Sequence, residues 1–335
     1  MERKISVVVV TYNHEQTIAR TLDSILMQQC SWAVEIVIGE DCSTDNTRAI
    51  CRQYQQQHPD KIRLFCHSEN KGVIDNYFDC LLECKGKYIA DCAGDDFWVD
   101  PLKLEKEKNI LEAHPEVTLV HTAWNYYDEV AKTARLPVIG LLRQPFTEGR
   151  QLLADIITQT DFPVIHLCTS LYRKDVFLQA YSEDTFMFRN REFGCEDLAI
   201  AAAMAASGHI AYLPDITLNY SVNHPSVSFC PDDARQFLFV RRTTDLSYYL
   251  SQKYHLVNTP KLNTFFRQRA FTLTMHAFRS HSEALRDEAK RWIEKWGVAP
   301  TWRVGVVQSI MKSKGCWNCA LALRKLIVGL KHIGR

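Results

Sequence analysis

Glycine is missing from the first 38 residues, and Gly39 is the first of only 13 in a chain of 335. P-loops and dinucleotide fingerprints both need glycines in the turn after the first strand, so that backbone amides can approach phosphate. Here that turn reads TYNHEQ (11–16), which excludes both. Any diphosphate bound by this chain must find its positive charge elsewhere. Long apolar runs are also missing. ISVVVV (5–10) follows a charged start but is too short for a signal segment or a bilayer span, and no later run reaches spanning length. The twelve cysteines form no framework: the one Cys-x-x-Cys, Cys316 to Cys319, has no second pair at zinc spacing. They are expected to be reduced thiols of a cytoplasmic protein. There is no internal repeat and no low-complexity segment.

Net charge is almost absent as well, at +1, but it is unevenly spread. Residues 290–335 carry ten Lys/Arg against Glu294 alone, a net +9, which leaves −8 on residues 1–289. Four of the seven tryptophans (292, 296, 302 and 317) fall in this tail. In ALRKLIVGLKHIGR a helix would gather Leu323, Leu326, Ile327, Leu330 and Ile333 on one side and the basic residues on the other. That pattern suits a helix lying on an anionic membrane surface, the reading preferred here over a terminal helix packed on its own domain. The acidic remainder and the lack of any recognised module argue against nucleic acid as a partner.

A composition of 46% hydrophobic and 24% charged residues is that of a globular chain with a sizeable core. ISVVVV reads as a buried parallel strand, and Ile18, Leu22, Ile25 and Leu26 have the spacing of a helix burying one face. Asn13, with Gln16 three residues on, resembles a capped start for that helix. Strands at 34–40, 62–66 and 87–93 alternate with helices at 44–57 and 73–84. This alternation predicts a mainly parallel sheet covered on both faces, with ligands beyond the carboxyl ends of its strands. The expected organisation is a first half at 1–123, a second half at 124–230 and a helical region at 231–335.

Two carboxylates, Asp95 and Asp96, stand side by side where the fourth apolar run ends, in ADCAGDDFWVDP. Like charges there do nothing for a strand or a helix interior. A divalent cation shared with phosphate oxygens would explain them, since Mg2+ and Mn2+ often take only one or two carboxylates plus substrate phosphates. A solvated turn capping the next helix would explain them too. A second acidic pair, Glu196 and Asp197, precedes the helix LAIAAAMAA, where the macrodipole alone would favour it.

Taken together, the strand running into TYN, then EDCSTDNT (40–47), GDDFWVDP with KLEKE after it, and GCEDLAIAAAMAASGHIAYLP (194–214) resemble the family 2 glycosyltransferases of GT-A fold, in order and spacing. The likeness covers residues 5 to about 228. It implies a GT-A type, Rossmann-like α/β domain with a mainly parallel central sheet flanked by helices and a C-terminal helical extension. Residues 1–123 would form the nucleotide-sugar half, and 124–230 the acceptor half. It implies nucleotide contacts from Thr11, Tyr12, Asn13 and Glu15, with Asp41 accepting the uracil N3 hydrogen. Asn70, Gly72 and Asn76 would form a further nucleotide-side segment. Asp95 would serve the ribose or metal side, Asp96 the metal directly, and His224 as a third ligand. Asp197, beside Glu196, would be the catalytic base. His166, Thr169 and Ser170 match an acceptor-side segment. Three positions depart from the family pattern: Cys42 stands in place of glycine, Ala93 in place of an acidic residue, and Lys71 is the one cation of the Asn-x-Gly region, which lacks its usual Arg.

The resemblance thus implies a hexosyl- or N-acetylhexosaminyl-transferase using Mn2+ or Mg2+. It would move a sugar from a nucleotide diphosphate, UDP by preference, to a glycan or lipid-linked glycan hydroxyl, with inversion. Its setting would be O-antigen, capsule or exopolysaccharide biosynthesis at the inner face of the cytoplasmic membrane. The competing reading is a catalytically silent sugar-nucleotide-binding or scaffolding subunit. A nucleotidyltransferase is excluded by the missing glycine-rich loop.

Overall fold

The computed structural model describes residues 3–135, 144–159, 164–223, 231–256 and 259–333, with side chains to residue 324. The chain divides into two compact units, Met1–His224 and Pro225–Arg335. In the first, strand and helix alternate from the start: β1 (Lys4–Thr11), α1 (Ile18–Leu26), β2 (Ala33–Glu40), α2 (Thr47–Gln57), β3 (Ile62–Cys66), α3 (Val73–Glu83) and β4 (Tyr88–Asp91). Then follow β5 (Phe97–Trp98), α4 (Lys103–Ala113), β6 (Val117–Asp128), β7 (Thr133–Ala134), β8 (Phe146–Glu148) and α5 (Gly149–Thr158). β9 (Leu171–Arg173), α6 (Lys174–Glu183), α7 (Thr185–Arg189), α8 (Asp197–Ser207) and β10 (His209–Val222) complete the unit.

The strands form one sheet in the order β3-β2-β1-β4-β9-β6-β10-β5, with β7 on β6 and β8 on β10. β1 runs parallel to both β2 and β4, and β6 runs parallel to β10, while β9 is antiparallel to both of its neighbours. From β1 the chain builds outward to β3 and then returns to β4 on the other side of β1. That reversal opens a crevice beyond the carboxyl ends of β1 and β4, where open α/β sheets bind ligands. Ile5, Val7 and Val9 of β1 pack with Ile18, Leu22 and Ile25 of α1 in one continuous core. This is the burial that the β-branched run and the helical spacing predict.

The helix start is a correction. α1 begins at Ile18, after Thr17, and Asn13 is no cap: it lies in the left-handed region at φ 56°. Its side chain serves another loop.

The second unit is helical: α9 (Asp233–Lys253), α10 (Pro260–Ser280), α11 (Glu283–Lys295), α12 (Trp302–Ile310) and α13 (Lys314–Ile333). Asp232, Thr259, Ser282 and Thr301 each cap the helix that follows with a side-chain oxygen. Phe237, Leu273 and Trp296 share one small core, and Phe278, Met311 and Trp317 another. Trp302 is 76% exposed and Leu323 59%. No helix among the described residues is long and apolar enough to cross a membrane.

Candidate active site

At the end of β1 the chain turns sharply, and the turn is fastened to the loop after β2. Asn13 N–H donates to Ser43 Oγ at 3.0 Å, and Asn13 Oδ1 accepts the Thr44 N–H at 2.8 Å. His14 N–H donates to Thr47 Oγ1 at 2.8 Å, and Glu15 Oε2 accepts both the backbone N–H and the side-chain amide of Asn46 at 3.0 Å. Asn13 and Glu15 therefore hold the second loop in place, whereas Tyr12 is 43% exposed. Thr11 is buried, its hydroxyl 3.2 Å from His14 Nδ1.

Asp41 is buried at the exit of β2. Its two carboxylate oxygens accept the N–H groups of Lys71 and Gly72 at 2.8 and 2.9 Å, and Asn70 Nδ2 donates to its carbonyl at 3.2 Å. Asp41 and the Asn70–Gly72 turn thus form one unit. Cys42 adopts φ 60°, so the left-handed turn that glycine usually provides is made here by cysteine. Asn76 lies deeper, with its amide shared between the Gly39 carbonyl and His67 Nε2.

Beyond β4 the chain carries the acidic pair back against β1. Gly94 permits this, because a Cβ there would lie 2.6 Å from His14 Nδ1 and 2.8 Å from Thr11 Oγ1. The two carboxylates have unequal surroundings. Asp95 is partly exposed, with Oδ2 4.0 Å from His14 Nε2. Asp96 is 1% exposed; its Oδ1 accepts the Ser221 N–H at 2.9 Å and its buried Oδ2 has no hydrogen-bond partner. Burial first, and then the neighbouring Asp95 charge, push the Asp96 carboxyl well above the usual carboxylate range. Arg20 of α1 donates to the Asp95 carbonyl at 3.2 Å and pairs with Glu129, while Ser221 Oγ bridges the same carbonyl at 2.6 Å and Glu129 at 2.8 Å. The guanidinium lies over Phe97, 4.0 Å from the ring centre. His14, Arg20, Glu129 and Ser221 went unrecognised in the sequence; the one hint was Arg20, a lone cation in α1.

An orphaned buried carboxylate oxygen beside a second, accessible carboxylate suits a hard dication that takes its remaining ligands from a substrate's phosphates. Among the described residues no three His, Cys, Asp or Glu side chains converge as a ready-made metal cage. His224 lies outside the described residues.

The second acidic pair opens α8. Gly194 turns the chain at φ 71°, Glu196 occupies the cap position, and Asp197 Oδ1 accepts the Leu198 N–H at 2.7 Å. Burial, then the Asp197 charge, push Glu196 up to about 8. Asp197 is also raised by burial, against the opposing pull of the Leu198 amide. Asp91, at the end of β4, accepts the Tyr77 hydroxyl at 2.5 Å. It is raised to about 7, mainly by burial, with the Asp197 charge adding to the effect. His166, in the loop before β9, packs against Trp124 of β6 and Tyr220 of β10 and is held neutral by burial, its pKa lowered to about 4. The Thr169 and Ser170 hydroxyls both donate to the His166 carbonyl.

A half-parallel sheet with a reversal at β1, an acidic pair at its rim and a helical extension together define a GT-A type α/β architecture. Solved structures share the fold, among them the following two. S. aureus TarS 1–349 in complex with UDP-GlcNAc has TM-score 0.54 and 14% identity over 92% of this chain and 91% of that one. The mannosyltransferase PcManGT from Pyrobaculum calidifontis, in complex with GDP-Man and Mn2+, has TM-score 0.53 and 14% identity over 98% and 86%. The sequence model of glycosyl transferase family 2 matches residues 6–179, and the chain belongs to that family. It is 37% identical over 154 residues to the putative glycosyltransferase EpsE of Bacillus subtilis, covering 44% of this chain and 54% of EpsE. It is 31% identical over 127 residues to WfaP of Escherichia coli, named as a UDP-Glc:alpha-D-GlcNAc-diphosphoundecaprenol beta-1,3-glucosyltransferase, covering 37% and 47%. The chain spans about half the length of the curated relatives it matches.

Proposed function

We propose that this chain transfers a sugar from a UDP-sugar to a hydroxyl of a lipid-linked glycan, with inversion at the anomeric carbon, in the assembly of a surface polysaccharide. One observation supports the reading: an acidic pair follows β4, and a second pair is close enough to act electrostatically on the last residue of that strand. Asp95 and Asp96 leave β4, and Asp197, whose charge reaches Asp91 of the same strand, opens α8. The UDP-GlcNAc in a structure of like fold and the lipid diphosphate in the name of WfaP support the choice of donor and acceptor.

The nucleotide seat is the knitted pair of loops. Asp41, fixed by two backbone amides, keeps lone pairs for the uracil N3–H, as an acceptor-only group should. Tyr12 is available for direct contact, while Thr11, Asn13, Glu15, Asn70 and Asn76 hold the seat in shape. Asp95 and Asp96 would hold Mn2+ or Mg2+, which when bound neutralises charge on a departing diphosphate. Asp197 takes the proton of the acceptor hydroxyl as that oxygen forms its bond to C1 and the bond from C1 to the diphosphate oxygen breaks. Arg20, Glu129 and Ser221 keep the acidic pair in position, and Gly94 brings it against β1.

The basic tail fits the same setting. An exposed Trp302 and Leu323 among ten cations and one carboxylate suit an anionic membrane surface, where lipid-linked acceptors are presented. Mass spectrometry of products from a panel of UDP-sugars, with Mn2+ and lipid-linked acceptors, tests the reading: a glycan one sugar heavier is expected. Donor binding with neither transfer nor slow donor hydrolysis would overturn it in favour of a binding subunit.

A further inference from the structure

Between α6 and α8 lies a tightly turned segment that connects the two sides of the site. Asp184 caps α7 by accepting the Met187 N–H at 3.0 Å, and Asn190 Oδ1 accepts the Glu192 N–H at 3.1 Å. Gly194 then turns the chain into Glu196 and Asp197. From this segment two arginines reach α3. Arg189 Nη1 lies 2.8 Å from Asp79 Oδ1 and 3.4 Å from Asp75 Oδ1, and the Arg191 guanidinium pairs with Asp75 Oδ2. Lys71 Nζ takes the other oxygen of Asp79 at 3.0 Å. Lys71 and Gly72 are the residues whose amides hold the Asp41 carboxylate. A continuous run of charged and hydrogen-bonded groups therefore leads from Asp41, through the first turns of α3, to Arg191, five residues before Glu196.

Stability alone accounts for part of this cluster. Asp75 and Asp79 lie at i, i+4 on α3, where like charges repel, and cations offset that. Docking of α7 on α3, however, is already provided by Phe78 and Phe188, whose ring centres are 5.5 Å apart, with Phe177 against both. Apolar contact of this kind is non-directional. Charge-assisted hydrogen bonds from planar guanidinium groups are directional and fix one register.

We propose that Arg189 and Arg191 are positioning residues which, through Asp75 and Asp79, hold the Glu196–Asp197 turn in register with the nucleotide seat at Asp41. The inference rests on the roles proposed above for Asp41 and Asp197. It follows that a nucleotide steadying the Asp41 loop also steadies the base, and the coupling is reciprocal.

Two measurements on the full chain test this. The first needs no donor: hydrogen exchange of peptides spanning residues 192–198 in wild type, Arg191→Gln, Asp75→Asn and Arg191→Lys. Faster exchange there in all three variants, least in Arg191→Lys, which keeps the charge but not the planar fork, with β1 peptides unchanged, is expected. The second is kinetic. A displacement of about 1 Å at a reacting group can cost ~10²-fold, so Arg191→Gln and Asp75→Asn should lower kcat by about that factor. Donor KM should change by less than about threefold, and the double variant should be no worse than either single one. Unchanged exchange, or a raised KM at constant kcat, would overturn the inference. If wild type transfers sugar and both measurements are flat, positioning fails alone. If exchange behaves as expected while wild type transfers nothing from any donor, the functional reading fails and positioning stands.

Discussion

Replacing Asp91 by Asn should make the protein's stability less dependent on pH. Asp91 is 4% exposed at the end of β4, accepts the Tyr77 hydroxyl, and has its pKa raised from 3.8 to about 7, mainly by burial. In the unfolded chain this carboxyl ionises near pH 4, while in the folded chain it keeps its proton until about pH 7. Between those values the native state binds the extra proton, so stability falls as pH rises. The contribution is fully present below the unfolded pKa and lost as pH passes through the folded one. A shift of roughly three units, at 1.36 kcal/mol each, sets an upper bound of about 4 kcal/mol on that loss. Tyr77 can donate to an amide oxygen as well as to a carboxylate, so Asp91→Asn keeps the hydrogen bond and removes the titration. Urea unfolding of wild type and variant, followed by circular dichroism at intervals between about pH 5 and pH 8 with chelator present, measures the difference. The variant should gain on wild type from about pH 5 to pH 7 and level off above that. Two pH profiles that stay parallel would refute the reasoning, because the buried carboxyl would then carry no raised pKa.

Lys103→Met should destabilise the protein by about 3–5 kcal/mol in the same assay, because Lys103 and Glu107 form a fully buried ion pair at 2.7 Å and the carboxylate would lose its partner. Adding Glu107→Leu should recover most of that loss. Gly94→Ala should cost about 1–3 kcal/mol through the clash with His14 and Thr11, and should weaken UDP binding by calorimetry, since the acidic pair could no longer close on β1. Trp302→Ser should reduce flotation of the full chain with vesicles rich in anionic lipid and leave transfer to a soluble acceptor unchanged; equal flotation would count against the membrane surface.

The first strands and helices, and the acidic pair that follows β4, were legible in the sequence because their signals are local. ISVVVV, the missing glycines and the adjacent aspartates each lie within a dozen residues, and burial patterns with periods of 2 and 3.6 report on them directly. The fastenings were not legible. Asp96 takes its amide from Ser221, 125 residues away, and Arg20 reaches Glu129 across 109, separations that leave no local pattern. Asn13 shows how a local pattern misleads. Its spacing to Gln16 suits a capped helix, but a short polar side chain competes for any nearby amide, and the Thr44 N–H on the next loop wins. The same holds for Arg189 and Arg191: RNR ahead of GCED announces charge, yet only folding brings Asp75 and Asp79 to meet it.

Under the proposed mechanism, the unequal surroundings of the second acidic pair favour Asp197 over Glu196 as the base. Glu196 and Asp197 are close enough for each to disfavour ionisation of the other, so the pair shares its protons and titrates in steps. Glu196, raised to about 8, keeps a proton at neutral pH and cannot accept another. Asp197 accepts the Leu198 N–H at the start of α8, a bond that favours its charged form, as does the helix dipole. These contacts favour the charged form at Asp197 relative to Glu196. Glu196→Gln, which imitates the protonated acid, should retain most of the transfer rate near pH 7 and lose the change that wild type shows on passing about pH 8. Asp197→Asn should lower kcat by about 10²- to 10⁴-fold at every pH with UDP affinity little changed, the usual result of losing a general base. Equal damage from both substitutions at neutral pH would show that the two carboxyls act as a unit and that the charge is not localised on Asp197.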